Sequence, residues 1–147
     1  MAVLMDRKAI EEIIPHRDPF LLIDEITELE PGKRVVAIKY LKEDEYWFKG
    51  HFPGHPVQPG VLMIEMLAQA GAVCVLSLPE NKGKLAFFAG IDKARFRRMV
   101  YPGETLTLEV ELTKFRGSVG FGSAVASVGG VRAVTADISF AVGAPEK

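Results

Sequence analysis

Cysteine is almost missing from this chain of 147 residues: Cys74 stands alone, which excludes an internal disulfide framework. A reducing compartment, the cytoplasm, is therefore expected. A surplus of charge is missing too. Lys and Arg number 18 against 19 Asp and Glu, and a net charge of −1 argues against nucleic acid as a principal partner. No repeat recurs and no low-complexity stretch divides the chain, so one domain spanning 1–147 is expected. The opening residues MAVLMDRKAIEE gain charge by residue 6 and lack the apolar core of a secretory leader.

What is present is a chain with 48% hydrophobic and 25% charged residues, an ordinary globular balance. Its greasiest stretch, 60–78, carries Glu65 and Cys74 as the only side chains that ionise near neutral pH. That length approaches the roughly 20 residues of a membrane span. Glu65, Gln69, Gly60, Gly71 and Ser77 interrupt it, and strongly patterned strands follow. A helix buried in a soluble core is expected, with no membrane involved.

Residues 6–14 read as a short amphipathic helix with Asp6 as N-cap, ended by Pro15. Leu21–Glu30 and Lys33–Lys42 read as a hairpin around Pro31-Gly32. The loop 49–60 holds three prolines and three glycines, and the prolines stiffen it before the long helix begins at Pro59-Gly60. Past Pro79 and Gly83 the chain is β. Leu85–Met99 is a strand bent around Gly90, and Leu106, Leu108, Val110 and Leu112 alternate with polar residues. Gly129-Gly130 joins Gly122–Val128 to a last strand patterned by Val134, Ala136, Ile138, Phe140 and Val142. The result is α+β: about six strands, mostly antiparallel, and one hydrophobic helix. One sheet covers only one side of a helix that is apolar all round, so a second subunit is expected on the other.

A buried acid costs several kcal/mol unless it is paired or protonated. Glu65, placed in an apolar setting, is expected to have a raised pKa and to serve as an acid. Gln69 is one turn on and shares its face. His51, on the stiffened loop, supplies a base. The helix start at Gly60 and Val61 offers unpaired N–H groups and the positive end of the dipole, able to polarise a carbonyl. Base, acid and oxyanion donor beside a greasy helix suit proton chemistry next to a carbonyl.

The run HFPGHPVQPGVLMIEMLAQ resembles the signature of the β-hydroxyacyl-acyl-carrier-protein dehydratases of bacterial type II fatty-acid synthesis. The likeness extends to PHRDPFLLID (15–24) and LAFFAGIDKARFRRMVYPGE (85–104), and covers about 8–142. It implies the hot-dog fold, an antiparallel β-sheet wrapped around a long central hydrophobic helix, working as a dimer, with a trimer of dimers common among relatives. It also implies His51 as catalytic histidine, Glu65 as catalytic acid, the Gly60 N–H as binder of the thioester carbonyl, and Gln69 as partner of the acid. The implied reaction turns a (3R)-3-hydroxyacyl thioester into a trans-2-enoyl thioester, with no metal or organic cofactor. The cousin that also isomerises has aspartate where this chain has Glu65, which favours the simple dehydratase. A dehydratase that also isomerises, since some glutamate-bearing relatives do so, an enoyl-CoA hydratase, an acyl thioesterase or a non-catalytic acyl-binding subunit are the other readings. The last would have lost His51 or Glu65.

Several residues carry two readings. Lys93, Arg95 and Arg97 alternate on one strand, with Arg98 adjacent: a solvated face, or a docking patch for acidic acyl carrier protein with its phosphopantetheine arm. Phe87 and Phe88 either line an acyl tunnel or fill the core. His55 follows His51 by four residues, but Pro53, Gly54 and Pro56 forbid a helical metal pair, and the sequence points to no third ligand. His16 is expected to hold the N-terminal segment by hydrogen bonds, and Cys74 to be a small core residue.

Overall fold

A computed structural model describes residues 3–144. The elements are α1 (Arg7–Glu11), β1 (Glu25–Glu30), β2 (Arg34–Tyr40), α2 (Gly60–Leu76), a 3₁₀ turn (Pro79–Asn81), β3 (Leu85–Phe96), β4 (Thr105–Arg116), β5 (Val119–Val128) and β6 (Val131–Gly143). The six strands form one sheet in the order β1-β2-β4-β5-β6-β3, antiparallel throughout. With α2 packed along it, this is the expected hot-dog arrangement.

Local chemistry explains the boundaries. Asp6 Oδ1 accepts the Ala9 N–H at 2.9 Å, an N-cap, but α1 stops at Glu11, well before Pro15. The β5–β6 hairpin turns on Gly129 and Gly130, whose φ values of 56° and 83° suit glycine. In β4, Leu106, Leu108 and Val110 are buried between exposed or half-exposed polar neighbours, as the alternation requires. β3 ends at Phe96, three residues earlier than expected. Its register shifts between Phe88 and Gly90, the anticipated bend, and again between Asp92 and Arg95, where Lys93 has φ 52°.

The helix is covered differently from expectation. Of its 17 residues, 12 are buried within a single chain. Its sheet-facing side packs on Leu106, Leu108, Val110, Ala124 and Ile138. The opposite side is closed by the N-terminal segment, whose Ile10, Ile14, Leu21, Leu22 and Ile23 join the same core. Gln69 fastens that segment by accepting the Leu22 N–H at 2.9 Å and donating to Phe20 O at 2.8 Å. The turn after β1 is tied as well, Gly32 N–H donating to Cys74 O at 3.0 Å. A second subunit is thus not needed for most of the helix. What stays open is its first half: Val61 is 71% exposed, and Leu62, Glu65 and Ala68 are half-buried.

Among the described residues no helix is long and apolar enough to cross a membrane. One buried charge had no signal in the sequence. Lys39 is buried, with Nζ 3.0 Å from Glu45 and 3.8 Å from Asp24. It ties β2 to the segment that leads into the His51 loop, and the paired carboxylates make burial of an ammonium tolerable.

Candidate active site

The loop between β2 and α2 is built to hold His51 still. His51 Nδ1 lies 2.8 Å from the Val57 carbonyl oxygen. A carbonyl only accepts, so Nδ1 carries a hydrogen, and in the neutral ring the lone pair is on Nε2. The Val57 N–H donates back to His51 O at 2.8 Å, and Phe52 stacks on the imidazole at 4.1 Å. Phe52 and His55 exchange backbone hydrogen bonds of 3.0 and 2.8 Å, which closes the tip. His55 is exposed, and among the described residues no cluster of metal-ligating side chains exists.

Glu65 is fixed from its own helix. Its Oε2 accepts the Gln69 Nε2–H at 3.0 Å, and Oε1 has no hydrogen bond among the described residues. Glu65 and Gln69 line a cavity of about 200 Å³ with Ala68, Ala72, Phe87, Phe88 and Phe140. Phe87 and Phe88 are 57% and 42% exposed, so they line this cavity and do not fill the sheet–helix core. The carboxylate therefore has an amide donor beside it and an apolar, open volume in front.

His16 borders the same cavity, and its expected role needs correction. Its Nδ1 is buried without a hydrogen-bond partner. The bonds that hold its segment come from Arg17, which donates to Ile14 O, His16 O and Glu11 O at 3.0, 2.7 and 3.0 Å. His16 Nε2 is 3.8 Å from Glu65 Oε2. Burial pushes the imidazole below its ordinary 6.5, against the raising effect of Glu65 and with the lowering effect of Arg17. At neutral pH His16 is uncharged and the contact is not an ion pair. Cys74 is buried, and burial pushes its thiol up, as for an inert core residue.

The start of α2 is capped by no side chain, and Gly60 and Val61 N–H have no acceptor among the described residues. A Cβ at Gly60 would lie 2.5 Å from the Phe96 ring. Glycine here lets the Phe96 ring pack against the helix start, and any larger residue would displace that ring. Glu65 lies five residues on, about 7.5 Å along the axis. Among the described residues no hydrogen bond or ion pair joins His51 to Glu65, and His51 is not part of the cavity that Glu65 lines.

The basic residues divide. Lys93, Arg95 and Arg97 line one groove of about 460 Å³ on the sheet. Simple alternation is not the cause: the bulge at Lys93 sets Arg95 opposite Thr135 and Asp92 opposite Asp137, returning Arg95 to the Asp92 face. Arg97 Nε donates to Thr135 Oγ1 at 3.1 Å. Arg98 does not belong to the group. It forms a two-pronged pair with Glu104 at 3.0 and 2.7 Å. Arg132, on β6, takes its place in the groove. Its distance in sequence hid it; strand pairing alone brings it there.

Residues 14–137 match the FabA-like domain family. The chain is similar to the 3-hydroxyacyl-[acyl-carrier-protein] dehydratase FabZ of Clostridium novyi (strain NT), 58% identical over 136 residues, covering 92% of this chain and 96% of that one. The enzyme of the same name from Desulforamulus reducens is 56% identical, over 95% of this chain and 99% of its own. That of Staphylococcus aureus (strain JH9) is 55% identical over 97% of both. Among solved structures the dehydratase heterocomplex ApeI:P from Xenorhabdus doucetiae is similar, with a TM-score of 0.78 over 94% of this chain and 91% of that one. At 20% identity that likeness carries the fold alone.

Proposed function

The chain belongs to the FabA-like domain family and is a 3-hydroxyacyl-[acyl-carrier-protein] dehydratase, and we propose that His51 and Glu65 carry the reaction between them. The observation that supports this division is the pair of oriented groups: His51 fixed through Nδ1 with Nε2 free, and Glu65 fixed through Oε2 with Oε1 free. Each points one atom at substrate and anchors the other.

His51 Nε2 takes the proton from C2 of the (3R)-3-hydroxyacyl thioester. The C2–H electron pair becomes the C2–C3 double bond, with the thioester oxygen stabilised by the N–H groups of Gly60 and Val61. The C3–O bond breaks as Glu65 Oε1 gives its proton to the leaving hydroxyl, releasing water and the trans-2-enoyl thioester. Proton return from His51 to Glu65 restores both groups. The balance closes with no cofactor. Phe87 and Phe88 flank the acyl chain in the cavity beside Glu65.

The working unit in this reading is a homodimer, and a trimer of dimers is the further assembly that the family resemblance implies. Supporting this, β3 is an edge strand whose Phe87, Phe88, Ile91 and Phe96 are exposed at 57%, 42%, 46% and 54%. An unpaired apolar edge invites a second copy of itself about a two-fold axis. In this reading the His51 loop of one chain lies by the Glu65 cavity of the other, which agrees with the lack of any contact between the two residues within one chain among the described residues. Acyl carrier protein, in the cytoplasm, docks its acidic surface on the groove of Lys93, Arg95, Arg97 and Arg132.

The test is incubation of purified enzyme with 3-hydroxyacyl-carrier-protein substrates of several lengths, following trans-2 and cis-3 products. His51→Ala and Glu65→Gln are each expected to lose 10²- to 10⁴-fold in turnover while staying folded. Near-normal turnover in either variant removes that residue from the chemistry.

A further inference from the structure

We propose that Gln58, pinned by Trp47, is a positioning residue that sets the direction of the carbonyl holding His51. The inference rests on His51 being the base, and it concerns a side chain that touches neither substrate nor His51.

Gln58 is 2% exposed, and a buried primary amide needs partners for its polar atoms. Its Oε1 accepts the Trp47 Nε1–H at 2.9 Å. Its Nε2 leans on Pro59 O at 3.4 Å, and its backbone N–H donates to Val100 O at 2.8 Å. Trp47 is itself 8% exposed and braced edge-on by Tyr46 and Phe48, with ring centroids at 4.9 and 5.8 Å. The indole is thus an anchor fixed before the loop begins.

The consequence follows from the planarity of one peptide unit. The Val57 carbonyl and the Gln58 N–H belong to the same rigid plane. Fixing the N–H on Val100 and the Gln58 side chain on Trp47 leaves the Val57 oxygen one direction in which to point. That oxygen receives the His51 Nδ1–H at 2.8 Å. The Trp47–Gln58 bond also pins together the two ends of the segment that carries His51, and Gln58 sits two residues before the carbonyl-binding start of α2. One buried amide therefore keeps the tautomer of His51 and its distance from the helix start in register.

The test uses Trp47→Phe, which keeps the aromatic packing, and Gln58→Met, which keeps the length, each as the purified full-length enzyme. Both are expected to lower kcat about tenfold with KM changed less than twofold. Nitrogen NMR of the His51 ring is expected to show Nδ1–H in the wild type and a mixture with Nε2–H in the variants. The double variant, which leaves neither polar group orphaned, is expected to be no slower than the worse single one. A lowered melting temperature with wild-type kcat and wild-type tautomer overturns the proposal and makes the pair a packing feature. So does a fall in kcat with the tautomer unchanged. Turnover surviving in His51→Ala sinks instead the reading of the base, while the ring spectrum still decides the positioning by itself.

Discussion

The division of the site between two chains can be tested by mixing inactive enzymes. His51 is fixed to its own loop by the Val57 carbonyl, and Glu65 opens toward Phe87 and Phe88 on the β3 side, in a cavity that His51 does not line. If each site takes His51 from one chain and Glu65 from the other, His51→Ala and Glu65→Gln chains complement. Exchange at equal concentrations makes half of the dimers mixed. Each mixed dimer holds one intact site and one doubly defective site, so half of one half, about a quarter of wild-type activity, returns. The parent variants retain about 1% or less, so the gain is at least about 25-fold above background. The assay is the ultraviolet absorbance of the conjugated enoyl thioester, with native mass spectrometry confirming exchange. A second mixture sharpens the result: wild type with the His51→Ala/Glu65→Gln double variant. Shared sites leave about a quarter of the activity, since every mixed dimer is dead, whereas sites within one chain leave about half. No recovery in the first mixture, with half in the second, refutes the shared site.

Three further outcomes are expected. Reversing Arg95, Arg97 or Arg132 to Glu should raise KM for carrier-protein substrates in a salt-dependent way, with a small thioester turned over as before; an equal loss on both substrates makes the groove structural. Arg98 holds the Glu104 carboxyl below its ordinary 4.5, so the pair stabilises fully above that pH and its contribution fades as acid takes Glu104 through its lower folded value. Glu104→Gln should therefore cost about 1 kcal/mol at neutral pH, read by urea unfolding, with the gap to wild type closing only below pH 4.5. Gln69→Leu strands the Leu22 N–H in the core, leaves the partly buried Phe20 carbonyl without its donor and frees Glu65, so about 1–3 kcal/mol of stability and most turnover should go together; full turnover in a folded variant would show that Glu65 needs no brace.

Much of this protein was determined by local chemistry that a sequence displays. The alternation around Leu108, the turn at Gly129-Gly130 and the apolar run after Pro59 each act within a few residues, and each set its element. The spacing of His51, Gly60 and Glu65 was legible because loop stiffness and helical rise are short-range properties. Other features depended on pairings between distant segments, which no local pattern encodes. The N-terminal segment covers the far side of α2, so a helix that is apolar all round is largely buried within one chain. Arg132 joins Arg95 because β6 pairs with β3, and Arg98 leaves because Glu104 reaches it first. Trp47 meets Gln58 across a folded loop, and Phe96 fills the space above Gly60. Hydrophobic periodicity states which face a residue takes. What stands opposite that face is decided by chain closure over tens of residues, and there only the tertiary structure speaks.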